Sequence, residues 1–104
     1  MAEAIAPLLV EQAMEQAGES AAHLWVRAQQ VYVLMEDSEN AQLCANNAVQ
    51  SMPNDFRFRR NLALLLLQQK QYNQAIEQLN WCLHRQPTDA SLRSAWEAAQ
   101  SGKI

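Results

Sequence analysis

The fold is decided by the stretch from Ala22 to Asp89, whose two halves read AHLWVRAQQVYVLMEDSENAQLCANNAVQSMPND and FRFRRNLALLLLQQKQYNQAIEQLNWCLHRQPTD. A shift of 34 residues places Ala41 on Ala75, and it places the turn at Pro53 on the turn at Pro87. Self-similarity at a fixed period of this size is typical of proteins that stack copies of one supersecondary unit. The two predicted units are residues 22–55 and 56–89.

Each unit carries the apolar spacing of an α-helix. In the first unit the apolar positions recur every three or four residues, at Trp25, Ala28, Tyr32 and Met35. The second unit repeats this stripe at Phe58, Leu62, Leu65 and Leu66. The whole chain has 17 Ala, 13 Leu and 13 Gln against 2 Gly and 3 Pro, which favours helices over the turn-rich architecture of a small β-protein. We therefore predict an all-α fold.

Short flanking helices are expected on both sides of the two units. Pro7 at a first helical turn and Gly18 as a stop predict a leading helix over residues 7–17. Leu92, Trp96 and Ala99 predict a closing helix over residues 90–101, with Trp96 as a buried cap of the second unit. Repeats bury their core only against neighbours, so these helices are expected to cover the ends. The sequence thus predicts about six helices in one domain, residues 1–104.

Helix boundaries are marked by acids that follow a turn. Asp55 and Asp89 each come just after a proline and can cap the next helix. Glu36, Asp37 and Glu39 lie between the two helices of the first unit, where acids suit a helix N-terminus. Their spacing lacks the alternation of a calcium loop, so no metal site is expected.

Charge and cysteine content limit the function classes. The formal net charge is −3 and the pI about 5.2, so nucleic acid is not an expected partner. Cys44 and Cys82 are separated by 38 residues without a CxxC motif, and they are predicted to be small, reduced core residues. An acid at Glu3 argues against a signal peptide, and no run of about 18 apolar residues predicts a membrane span. We expect a cytoplasmic protein.

Catalytic chemistry has no signature in this sequence. His23 and His84 are far apart in the repeat frame, and Gly18 and Gly102 are too few to build a phosphate-binding loop. We therefore expect no catalytic residues, no cofactor and no enzymatic activity.

The pattern of aromatic, small and prolyl positions resembles the tetratricopeptide repeat (TPR) family across residues 22–89. In the first unit the matching positions are Trp25, Ala28, Tyr32, Ala41, Ala48 and Pro53. Departures include Gln29, where a small residue is usual, Arg59, where an aromatic is usual, and Glu36 and Lys70, where glycine is common. The resemblance implies a right-handed superhelical stack of antiparallel helix pairs.

The same resemblance implies a concave peptide-binding groove lined by the first helix of each pair. Carried onto this sequence, the groove residues are His23, Arg27, Gln30, Arg57, Arg60, Asn61, Leu64 and Gln68. The carboxamide of Asn61 could bond a bound peptide backbone. Arg57 and Arg60 could hold a carboxylate, or they could pair with Glu36 or Asp37. No acid of the chain falls in the groove set, so an acidic peptide is one expected ligand.

Three functional readings follow from these observations. The first is a non-enzymatic module that binds a peptide or helical segment of a partner protein in the groove. A second is a structural role in which the ends of the stack meet other copies, so that the chain self-associates into a dimer or a larger assembly. A third is a small secretion-type chaperone of the same repeat architecture.

Overall fold

A computed structural model describes the backbone of residues 2–102 and the side chains of residues 4–102. Within this range the chain forms six α-helices and no strand, which confirms the predicted all-α class. The helices are α1 (Ala2–Glu15), α2 (Gly18–Leu34), α3 (Ser38–Ser51), α4 (Phe56–Gln68), α5 (Tyr72–Arg85) and α6 (Ala90–Gly102).

The chain divides into two compact units, one extending up to Phe58 and the other starting at Arg59. The boundary falls inside α4, so the division into a leading helix, two 34-residue units and a closing helix within one domain stays a prediction. The right-handed superhelical stacking of the helix pairs also stays a prediction.

In the first unit, α1 and α3 both pack against α2, as expected for antiparallel neighbours. Leu9 of α1, Ala28 of α2 and Cys44 of α3 form one buried cluster, with Trp25 and Tyr32 partly buried against it. Small side chains let helix axes approach closely. Ala21, Ala22, Ala28, Ala41, Ala45 and Ala48 are all 2% exposed or less.

The leading helix differs from its prediction. It begins at Ala2, five residues before the predicted start, and Pro7 lies inside it. Alanine and glutamate are good helix formers, and a proline early in a helix removes only one backbone hydrogen bond, so the helix continues on the N-terminal side of Pro7. Gly18 is the first residue of α2 rather than a stop for α1, with φ of +59°. Glycine suits this left-handed conformation because it has no Cβ.

The turns after α2 and α4 are built alike. Glu36 and Lys70 both adopt the left-handed conformation. The amide of Asp37 donates to the carbonyl of Tyr32 at 2.9 Å, and the amide of Gln71 donates to the carbonyl of Leu66 at 2.9 Å. The amides of Glu36 and Lys70 donate three residues back, each at 3.0 Å. These are the two hydrogen bonds of a Schellman motif, so the 34-residue period recurs in the backbone.

The predicted acidic caps are confirmed. Asp37 accepts from the backbone amide of Asn40 at 3.1 Å. Asp55 accepts from the amide of Arg57 at 2.9 Å. Asp89 accepts from the amides of Ser91 and Leu92, at 3.0 and 3.1 Å. Each carboxylate therefore satisfies a backbone donor that the first turn of a helix leaves without a partner.

The second unit places α5 against α6 around an aliphatic core. Leu66, Leu79 and Leu92 are among the largest fully buried side chains. Trp96 was predicted to be buried here, and that prediction is wrong. The indole is half-buried, and its Nε1 donates to Oδ1 of Asn80 at 2.9 Å. An indole carries a polar N–H that needs a partner, so the ring lies at the edge of the core, while Leu92, Ala95 and Ala99 fill it.

Candidate functional site

Three predicted groove residues lie along one exposed side of α2. His23, Arg27 and Gln30 are spaced four and three residues apart, and all three are exposed. The imidazole of His23 lies 3.7 Å from a carboxylate oxygen of Glu19 and meets the ring of Phe58 edge-on, with 5.4 Å between ring centres. This side of α2 is therefore polar and accessible.

Arg57 is not available as the predicted fork for a ligand carboxylate. Its Nε and Nη2 donate to the two carboxylate oxygens of Asp55, at 3.0 and 2.7 Å, and Nη2 also contacts Glu19. The hydrogen bond to Arg57 is the main reason that the pKa of each of these carboxyls is lowered. The alternative of pairing with Glu36 or Asp37 named the wrong acids. Two carboxylates of the first unit already neutralise this guanidinium.

The remaining predicted residues lie on α4 within the second unit. Arg60 and Asn61 are half-buried, Leu64 is 37% exposed and Gln68 is exposed. Their spacing of three to four residues puts them on one side of the helix. Arg60 reaches the hydroxyl of Ser91 on α6, at 3.4 Å. The structure thus groups a guanidinium, an amide and an apolar side chain on α4, and their role in binding stays a prediction.

Sequence reasoning missed a cluster around Trp81. The guanidinium carbon of Arg85 lies 3.5 Å from the centre of a Trp81 ring, and that of Arg59 lies 4.8 Å from a Trp81 ring centre. Arg59 also donates to the side chain of Gln78 at 3.3 Å. The signal was present, because Arg59 stands where the repeat pattern expects an aromatic and Arg85 follows Trp81 by one helical turn. Guanidinium groups stack favourably on indole faces.

Charge is distributed unequally between the two units. The sequence up to Phe58 contains two basic and eight acidic residues, a formal charge of −6. The sequence from Arg59 onward contains six basic and three acidic residues, a formal charge of +3. The net charge of −3 therefore conceals a basic second unit.

A neutral groove in the first unit was also missed. It has a volume of about 550 Å³, and Trp25 and Tyr32 of α2 line it together with residues of α1 and α3. Every lining residue is uncharged, and the lining includes the exposed side chains of Met14 and Leu43. Residues 25 and 32 lie on the side of α2 opposite residues 23, 27 and 30, so this groove is distinct from the predicted one.

The cysteines are buried and free, as predicted. Burial raises the pKa of Cys44 to about 11, and it also raises the pKa of Cys82. A nucleophilic thiol needs the opposite shift. No group of three or more His, Cys, Asp or Glu side chains in the part of the chain that the structure describes could hold a metal ion.

Comparison with known proteins gave one family. No helix within residues 2–102 combines the length and the apolar character that membrane crossing requires. A search of curated proteins gave no match. A family model described as ChAPs (Chs5p-Arf1p-binding proteins) matches residues 2–101.

This match corrects the family assignment made from the repeat pattern. The model that fits the chain is not that of the tetratricopeptide repeat family, although the 34-residue recurrence of the turns is a feature of the structure. Apolar and small residues recur at such spacings wherever helical hairpins pack on one another, so the pattern reports packing rather than ancestry. Because the match covers nearly its whole length, the chain belongs to the ChAPs family, the Chs5p-Arf1p-binding proteins.

Proposed function

We propose that this chain is a non-enzymatic module that binds a peptide or helical segment of a partner protein. The observation that carries the proposal is the family match over residues 2–101, because the family is described by the proteins that its members bind. Chs5p and Arf1p are therefore the first candidate partners.

The exposed side of α4 in the second unit is the proposed contact surface. Leu64 supplies apolar area that water can reach, and Arg60, Asn61 and Gln68 supply donors and acceptors around it. Segments that bind to a helical surface typically combine an apolar anchor with a polar rim. The uncharged groove of the first unit does not offer such a mixture of charge and apolar surface.

The titration behaviour of the chain supports a binding role over catalysis. The pKa values of Asp37, Asp55 and Asp89 are lowered, and the main cause in each case is a hydrogen bond from a neighbouring side chain. The two thiols shift away from reactivity. A general acid or base would need a perturbed pKa inside a cleft, without a cap to form. A cytoplasmic location, and the lack of a nucleic-acid partner, are further parts of this proposal.

The test is calorimetric titration of the purified chain with Chs5p and with Arf1p. We expect saturable binding to at least one of them. Leu64→Ser should weaken that binding without changing the melting temperature by more than a few degrees, because Leu64 is only partly buried. Leu8→Ser is the matched control, since Leu8 is a 57% exposed leucine on α1. A folded chain that binds neither protein would overturn the proposal, and equal losses for both variants would overturn the assignment to α4.

A further inference from the structure

Four arginines gather at one end of the second unit. Arg59 and Arg60 lie near the start of α4, Arg85 is the last residue of α5, and Arg93 is in the first turn of α6. Arg59 and Arg85 contact Trp81, while Arg93 donates to the carbonyl of Pro87 in the turn between α5 and α6. We call these four residues the arginine end.

The arginine end is held in place mainly by uncharged groups. Arg60 donates to a hydroxyl, Arg85 to the carbonyl of Trp81 at 3.4 Å, and Arg93 to a carbonyl at 3.2 Å. Among the residues that the structure describes, none of these three forms an ion pair. Arg57 in the first unit is the contrast, because two carboxylates neutralise it. The positive charge of the arginine end is therefore largely uncompensated.

Two of the guanidiniums are also close to each other. Both lie on the indole of Trp81, so their central carbons are within roughly 10 Å, about one Debye length at physiological ionic strength. Like charges at this separation repel, and an anion placed beside them would relieve the repulsion. Asp89 is nearby, but its oxygens are engaged by Ser91 and Leu92 at the cap of α6.

We propose that the arginine end docks an acidic segment of the partner protein, with carboxylates of the partner bound to the outward N–H groups of these arginines. This inference rests on the proposed function, and it names the chemistry of the segment. A stacked guanidinium keeps its N–H edge available and presents it in a fixed plane, which suits paired contacts with a carboxylate.

Protein is favoured over the other anionic macromolecules by two observations. Single-stranded nucleic acid requires open aromatic faces for base stacking, whereas guanidiniums occupy the Trp81 rings. A bilayer surface attracts extended basic segments, whereas this patch is small and belongs to a chain of net charge −3. Nucleic acid and anionic membranes are therefore arms of the test.

The experiment titrates the full chain with a capped peptide of alternating Glu and Ala, followed through the indole N–H of Trp81 by NMR and through heat by calorimetry. The same peptide with Gln in place of Glu is the ligand control. Arg93→Gln and Arg85→Gln test the site, and the first of these leaves the Trp81 stack intact. Lys70→Gln is the matched protein control, because Lys70 is an exposed base in the same unit at the other end of α4.

We expect the Glu peptide to bind and to shift the Trp81 resonance, while the Gln peptide does neither. Each arginine change should weaken binding about two- to fivefold at low salt, and Lys70→Gln should change it less. Added salt should reduce the difference. Equal affinity of the wild type and both arginine variants would overturn the proposal. Tighter binding of phosphatidylserine vesicles or single-stranded RNA, lost in the same variants, would overturn its assignment to protein.

Titrations of Chs5p and Arf1p with the same variants separate this inference from the proposed function. If a family partner binds all variants equally, the acidic-segment proposal fails and the proposed function stands. If neither protein binds but the Glu peptide depends on Arg85 and Arg93, the proposed function fails and the anion-binding surface stands.

Discussion

Glu36 and Lys70, which are 34 residues apart, occupy the same backbone position after the last turn of a helix, with φ values of +57° and +63°. Neither is glycine, although a side chain in this conformation places Cβ near the following carbonyl oxygen. The Schellman hydrogen bonds around each residue hold the chain there. The recurrence of a strained conformation at one period shows that the two hairpins share a turn design.

This relationship predicts that glycine at position 70 stabilises the fold. Lys70→Gly should raise the free energy of unfolding by about 0.5–1 kcal/mol, because relief of the left-handed strain exceeds the added freedom of the unfolded chain. Urea denaturation monitored by circular dichroism measures the change. Gln68→Gly is the control, since this exposed residue is helical and glycine there should destabilise by a similar amount. A loss of stability in Lys70→Gly would contradict the strain argument.

The helices and their turns could be predicted because their causes are local. Pro53, Asp55, Pro87 and Asp89 mark the turns directly in the sequence, and the apolar spacing identifies the helices. The start of α1 could not be predicted, since Pro7 is compatible with a first turn and with a position further inside a helix. Local signals of that kind bound an element only to within a few residues.

The partners of charged side chains were predicted less well, because they depend on contacts between distant parts of the sequence. Arg57 and Glu19 are separated by 38 residues, and nothing in the local pattern of either indicates the other. The stacking of Arg59 on Trp81 joins α4 to α5 in the same way. The groove set was carried over from a family resemblance, so it could not anticipate which of its arginines were already neutralised.

Trp96 and Leu92 are predicted to differ in their contribution to stability. Leu92 is fully buried, so Leu92→Ala should cost about 2–5 kcal/mol. Trp96 is half-buried, so Trp96→Phe should lose mainly the hydrogen bond to Asn80, about 0.5–1.5 kcal/mol. Chemical denaturation of both variants provides the comparison. If Trp96→Phe proves as damaging as Leu92→Ala, the tryptophan is a core residue after all.

The ion-pair cluster of Arg57 predicts a pH dependence. Asp55 and Glu19 have pKa values below their ordinary values of 3.8 and 4.5. Their contribution to stability is therefore present above those ordinary values, and it is lost as the pH falls through the lowered ones. The difference in stability between wild type and Arg57→Gln should be constant from about pH 7 to pH 5 and should shrink below about pH 4.

Denaturation midpoints measured at several pH values test this expectation. Added salt should reduce the effect, since the Arg57 and Glu19 side chains are more than half exposed. Arg27→Gln is the control, because Arg27 is an exposed arginine on α2, the helix that carries Glu19. A difference between wild type and Arg57→Gln that does not vary with pH would mean that Arg57 contributes through its stacking on Phe58 rather than through charge.

Helix α1 is predicted to be a cover that keeps the first unit from self-associating. Ala13 is 2% exposed, and its neighbour Met14 is 72% exposed. Ala13→Asp places an unpaired carboxylate in the contact between α1 and α2, and it should weaken that contact by several kcal/mol. With α1 detached, the apolar side chains around Trp25 and Tyr32 would be open to water, a condition that favours association with other copies.

Light scattering over a range of protein concentrations measures the outcome, and Met14→Asp is the matched control. We expect Ala13→Asp to form larger species as the concentration rises, while Met14→Asp behaves as the wild type does, because its charge remains in solvent. Wild-type chain that already forms dimers would favour the self-assembly reading over the cover role of α1. If Ala13→Asp releases α1, as seen by loss of helical signal, and yet stays monomeric, then α2 and α3 alone protect their core from association.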